Sequence, residues 1–180
     1  MKLRLLFPVI LWCVAVTSYS QSVPSKSPLK TPDFQSVVKN EVETTIRSYM
    51  SGFSSAKCNN VTPVSKFVRD DMIYVGSNYI YTISLSEYEE GLRELVCGWV
   101  SHSGTVDSIV VEALSMDVAV AAWLYHDEYK LKSGKVEKVK GSVLMTLVRS
   151  PDGWKITATK QESVVVSPKA TPSKKVANPK

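Results

Sequence analysis

Histidine is nearly absent from these 180 residues, with two copies, and cysteine occurs three times. There is no CxxC, no HxxxH and no Cys/His cluster, so a structural zinc site lacks its ligands and no metal is expected. The eight glycines form no phosphate-cradling loop, and no GxSxG elbow exposes a nucleophilic serine. No internal repeat recurs at a solenoid period. Long apolar runs are missing too, apart from "LLFPVILWCVAV" at residues 5–16, which is too short for a stable span. That run follows the basic Lys2 and Arg4 and precedes the small residues Ser18 and Ser20, the pattern of an export signal over 1–20 cleaved after Ser20. The expected destination is periplasmic or secreted, with no membrane span once the signal is removed.

Export removes Cys13 and leaves Cys58 and Cys97, an even number in an oxidising compartment. A disulfide between them is one reading. Two buried thiols behaving as small hydrophobes is the other.

A net charge of +5 invites a nucleic-acid reading, but its distribution argues against one. Between Phe34 and Ser163 there are 14 Lys and Arg against 16 Asp and Glu, so the basic excess belongs to the two ends. No folded basic face interleaved with stacking aromatics is predicted, and nucleic acid is not an expected partner. The segments "SVPSKSPLKTP" and "SPKATPSKKVANPK" are rich in Pro, Ser and Lys, a composition expected to be disordered. These features divide the chain into a signal at 1–20, a linker at 21–32, a domain at 33–166 and a basic tail at 167–180.

Within the domain, Phe34, Val37, Val38, Val42, Ile46, Tyr49, Met50 and Phe53 recur at helical spacing, predicting a long amphipathic helix ended by "CNN" at 58–60. "TPVSKFV" predicts a short second helix with Pro63 at its first position. "SLSEYEEGLRELVCGWV" predicts a third, with Ser86 and Glu89 as a capping box and Trp99 on its apolar face. "DMIYVGSNYIYTI" predicts two short strands between the second and third helices. From residue 105 the period becomes two, and strands are expected at 105–115, 118–131, 136–149 and 153–165, joined at turn signals. The expected class is α+β, three N-terminal helices packed on one face of a strongly curved antiparallel sheet.

The strand at 118–131 carries two different faces. Val120, Ala122, Leu124, His126 and Glu128 share one; Trp123, Tyr125, Asp127 and Tyr129 share the other. If the first face is inward, His126 and Glu128 form a base and its orienting carboxylate. If the second is inward, Trp123 and Tyr125 line an apolar pocket.

The stretches "IRSYMSGFSSAK", "FVRDDMIYVG", "SMDVAVAAW" and "VRSPDGWKITATKQES" together resemble the nuclear transport factor 2-like superfamily, its polyketide-cyclase-like and ketosteroid-isomerase-like branches above all. The resemblance spans about 130 residues and implies a cone-shaped half-barrel, a pocket inside it, and a homodimer formed through the outer sheet face. It also implies that Trp154, after the Asp152-Gly153 turn, packs from the last strand onto the first helix. In the isomerase branch Tyr49 matches an oxyanion-donating tyrosine, but the proton-shuttling aspartate falls on Gly76 and no later acid occurs in "GSVLMTL". Where relatives often carry a histidine near the end of the last strand, this chain has Lys160 and Gln161.

The expected function is therefore an exported, non-catalytic domain that binds a small, largely apolar molecule or serves as a dimeric assembly module, with no cofactor. Its pocket is expected to be lined by Tyr49, Phe53, Trp99, Trp123 and Tyr125. The alternative is an acid–base enzyme of isomerase, dehydratase or cyclase type using His126, Glu128 and Tyr49.

Overall fold

The computed structural model describes residues 33–76 and 78–166. The segments expected to be a signal at 1–20, a linker at 21–32 and a tail at 167–180 lie outside the described residues. The elements in chain order are α1 Phe34–Ser55, α2 Thr62–Ser65, β1 Val68–Val75, β2 Ile80–Ile83, α3 Leu85–Cys97, β3 Trp99–Ala113, β4 Val118–Leu131, β5 Val136–Ser150 and β6 Gly153–Val165.

Helix α1 starts where Asp33 accepts a bond from the Gln35 amide, and its 22 residues span about 33 Å. It buries Val38, Val42, Ile46, Tyr49 and Met50, the stripe its spacing predicts. It stops at Ser55, earlier than "CNN", because Ala56 is already extended. The capping box of α3 is Ser84 with Glu87, two residues earlier than the Ser86 and Glu89 pair read from sequence. Asp70 on β1 adds a further bond to this helix start, accepting from the Leu85 amide at 2.8 Å.

The six strands lie in the order β2-β1-β6-β5-β4-β3. The class is α+β, with an open, curved sheet. Pairing is antiparallel throughout except between β1 and β6, which run parallel, so the sheet is mixed where a wholly antiparallel one was expected. Turn residues specify only neighbours joined by a hairpin. The β1/β6 pair closes over most of the domain's length, and no local signal reports its direction. Strand β3 begins at Trp99 and not at 105, since the polar run Ser101 to Gly104 hides the alternation.

Inner-face residues of β4, β5 and β6 pack with α1 into one core that includes Ala119, Ala121, Trp123, Val143, Met145, Leu147, Trp154 and Ile156. Trp154 is buried there and its indole N–H donates to Glu41 on α1 at 3.0 Å. Gly153, with φ 113°, makes the turn that places it.

Candidate functional site

Between α1, α3 and the inner face of the sheet lies a cavity of about 360 Å³. Tyr49, Met50 and Phe53 reach it from the last turns of α1, Tyr88, Leu92 and Leu95 from α3, Tyr74 from β1, and Tyr81 and Ile83 from β2. The sheet supplies Trp123, Tyr125, Asp127 and Tyr129 from β4, Val143 and Met145 from β5, and Thr159 and Gln161 from β6. Period two places all four β4 residues on one face, and burial alternates along the strand accordingly. The aromatic face is therefore the inward one.

Of the residues singled out from the sequence, Tyr49, Phe53, Trp123 and Tyr125 meet around this cavity. Trp99 does not. Helix α3 ends at Cys97 with Gly98 as its cap, so Trp99 leaves on β3 and stacks against His102 and Tyr129, with ring centroids 5.1 and 4.8 Å away. It lines a separate groove beside Cys58 and Cys97. Those two cysteines are bonded, with Cα atoms 4.6 Å apart.

His126 and Glu128 lie on the opposite, outer face of β4. His126 pairs with Asp107 of β3, and Glu128 pairs with Lys138 of β5 at 3.0 Å. Neither can meet Tyr49 across the sheet, so the constellation of His126, Glu128 and Tyr49 is not assembled. Alternation had tied His126 to Glu128 correctly but left their common direction open.

The polar groups inside the cavity are mostly phenols. Tyr49 and Tyr88 share a hydrogen bond of 2.9 Å, and burial pushes the Tyr49 hydroxyl up to about 12. Tyr88 is likewise raised, by burial first and then by the neighbouring Tyr49. Gln161 donates to the Tyr125 hydroxyl at 2.6 Å. The Tyr129 hydroxyl donates to Asp127 Oδ2 at 2.7 Å, and burial together with this carboxylate raises its pKa. All these hydroxyls are neutral donors at physiological pH.

Among the described residues, Asp127 is the one acid buried in the cavity wall, at 8% exposure. Its Oδ1 lies 3.4 Å from Nε2 of His102, whose side chain is itself buried, and Ser54 Oγ stands 3.4 Å from the other ring nitrogen. Gly104 makes the pair possible: a Cβ there would come within 2.4 Å of Asp127 Oδ1. This pair went unrecognised in the sequence. The signal that marks it is the glycine inside a strand, which often indicates close approach of another group, but Ser103-Gly104 reads equally well as a joint between elements. Among the described residues no group of three His, Cys, Asp or Glu side chains is placed to hold a metal, and no helix is long and apolar enough to cross a membrane.

No protein-family model matches the chain, and no curated protein sequence matches it at a significant level. Solved structures do match in shape. A protein of Novosphingobium aromaticivorans described as a candidate scytalone dehydratase superposes with a TM-score of 0.65 at 12% identity, over 80% of this chain and 96% of that one. A nuclear transport factor 2-like superfamily protein of Salmonella enterica gives 0.60 at 15% identity, over 75% and 96%. The hexachlorocyclohexane dehydrochlorinase LinA-type3 of Novosphingobium barchaimii gives 0.57 at 10% identity, over 76% and 96%. Identities this low speak to architecture alone. The curved mixed sheet, the three helices against its inner face and the cavity between them are the nuclear transport factor 2-like fold.

Proposed function

We propose that this is an exported binding domain whose aromatic cavity holds a small, largely apolar molecule without transforming it. The observation that supports this is the lining: eight aromatic side chains, from α1, α3, β1, β2 and β4, surround a space of about 360 Å³. That volume is within the roughly 300–1,000 Å³ common for small-molecule sites, where apolar area supplies affinity and a few hydroxyls fix orientation. Saturable binding of naphthalene, measured by quenching of tryptophan fluorescence, tests it. Gly91 lines the cavity from α3 with open space beyond its Cα. Gly91→Phe should fill the cavity and abolish binding while the far-ultraviolet circular dichroism stays unchanged; undiminished binding in that variant would refute the site.

Assembly as a homodimer belongs to the same reading. Val110, Leu124 and Leu144 are 70%, 51% and 49% exposed on the outer face of β3, β4 and β5, where Ala122 sits opposite both Val110 and Leu144. Such a contiguous apolar patch is characteristic of a protein–protein contact.

A second reading is favoured by one observation, the buried Asp127 beside His102. In it the chain is an acid–base enzyme, as the names of the dehydratase- and dehydrochlorinase-like structures suggest by analogy, with Asp127 in place of the outward His126 and Glu128. A bell-shaped rate profile with a hydroxyketone between pH 5 and 9, abolished by Asp127→Asn, would establish turnover and replace the binding reading.

A further inference from the structure

Behind the cavity wall lies a second hollow, a groove of about 300 Å³ bounded by the last turn of α1, the end of α3 and the start of β3, with Cys58 and Cys97 in its wall. Ser54 and His102 both line this groove and not the aromatic cavity, whereas Asp127 lines the cavity and not the groove. The His102 ring therefore stands between an exposed serine hydroxyl and a buried carboxylate, 3.4 Å from each.

Each member is held for this arrangement. Ser55 Oγ gives its proton to the Ser51 carbonyl of its own helix, but Ser54 turns its hydroxyl to His102 Nδ1. Trp99 and Tyr129 lie against the imidazole, with ring centroids 5.1 and 5.0 Å from it, so the ring is fixed with its two nitrogens directed at Ser54 and Asp127. Among the described residues, Asp127 Oδ1 is buried and receives no hydrogen bond from any other group, while Oδ2 takes the Tyr129 proton. That free oxygen favours the imidazole proton on Nε2, which leaves the Nδ1 lone pair facing the serine. Contacts of 3.4 Å are long for hydrogen bonds, and contacts between a nucleophile and its base are commonly loose before substrate binds. Lys57 and Lys132 line the same groove and bring it positive charge, which favours an oxyanion there.

We propose that Ser54 as nucleophile, His102 as base and Asp127 as the acid that positions it form a second site, in the groove, that hydrolyses short-chain carboxylic esters. The site is separate from the cavity and its ligand. Ser54 Oγ attacks the acyl carbon while Nδ1 of His102 takes the hydroxyl proton. The intermediate collapses, the bond from the acyl carbon to the alcohol oxygen breaks, and the alcohol leaves with that proton. Water then attacks the acyl-serine by the same route, releasing the carboxylic acid and restoring the hydroxyl. Asp127 stabilises the imidazolium at each transfer.

The probe is p-nitrophenyl acetate, with release of p-nitrophenolate followed by absorbance and the acetylated residue located by peptide mass spectrometry. Wild-type protein should carry one acetyl group on Ser54 and release p-nitrophenolate about a hundredfold faster than Ser54→Ala, the low end of what a positioned base contributes. Ser54 is exposed, so its alanine variant should fold normally, and Ser55→Ala should react like wild type. Asp127→Asn should lower kcat about a hundredfold or more with KM unchanged, the mark of a misdirected imidazole rather than a lost binding contact. Acetylation confined to lysines, or equal rates for wild type and Ser54→Ala, would overturn the proposal. Saturating naphthalene should not slow the reaction; inhibition by it would place the chemistry in the cavity and overturn the separate site. Failure of naphthalene to bind would remove the cavity reading and leave this one standing.

Discussion

Trp154 combines three interactions in one side chain. Its ring is buried, its N–H donates to Glu41, and the guanidinium of Arg149 lies over its face at 4.8 Å. The Trp154 bond and then Arg149 hold the Glu41 carboxyl below its usual range. Trp154→Ala should therefore cost about 3–5 kcal/mol and lower the melting temperature by about 10 °C or more, as thermal unfolding would read. Glu41 is two helical turns from Tyr49, about 12 Å along α1, so the same variant should bind cavity ligands normally where it remains folded. Tyr49 should contribute, alongside the likewise raised Tyr88 and Tyr129, to a sensitivity of the fold to alkali. Its folded-state pKa of about 12 stands above the ordinary 10, so the neutral phenol's contribution is complete below pH 10 and is lost as pH rises toward 12. Denaturant midpoints should fall across that interval, and Tyr49→Phe should flatten the fall; parallel curves for the two proteins would show that another group is responsible.

Among the elements, the disulfide links the segment after α1 to the last residue of α3 across 39 residues. Closing a loop of that length restricts the unfolded chain by about 4 kcal/mol in the chain-entropy account. The double variant Cys58→Ser, Cys97→Ser should lose stability of that order in urea unfolding, and a loss below about 1 kcal/mol would show that the bridge stores strain or that the unfolded chain stays compact. Element identity was legible from residue pattern in most of the domain. The stripe from Val38 to Met50 fixed α1, and alternation between turn residues fixed β4, β5 and β6 nearly to the residue. Boundaries failed where the polar sequence was ambiguous, as at Ser101 to Gly104, and that failure carried Trp99 onto the wrong element and concealed His102.

At the scale of the whole molecule, the proposed dimer would form through the outer face of the sheet. A single chain exposing Val110, Leu124 and Leu144 side by side has an apolar surface that a second copy would cover. Sedimentation should find a dimer, and Leu124→Glu should give a folded monomer, since a charge facing its symmetry mate in a two-fold contact is repelled. A wild-type monomer at micromolar concentration would argue against this face as an interface. Because Leu124 points away from the cavity, the monomeric variant should keep ligand affinity unless the dimer shapes the site.

The sequence by itself determined the helices, the hairpin-joined strands, the α+β class and the grouping of Trp123, Tyr125, Asp127 and Tyr129 on one face, because helix and strand periods act between near neighbours. Periodicity has no sign, however, and a strand of period two is equally regular with either face inward. Only packing against α1 and α3 turned the aromatic face into the cavity and left His126 and Glu128 in solvent. The parallel β1/β6 pairing and the meeting of His102 with Asp127 were likewise decided in three dimensions. Each depends on contacts between residues distant in the chain, and those contacts are selected by the core that the whole domain buries.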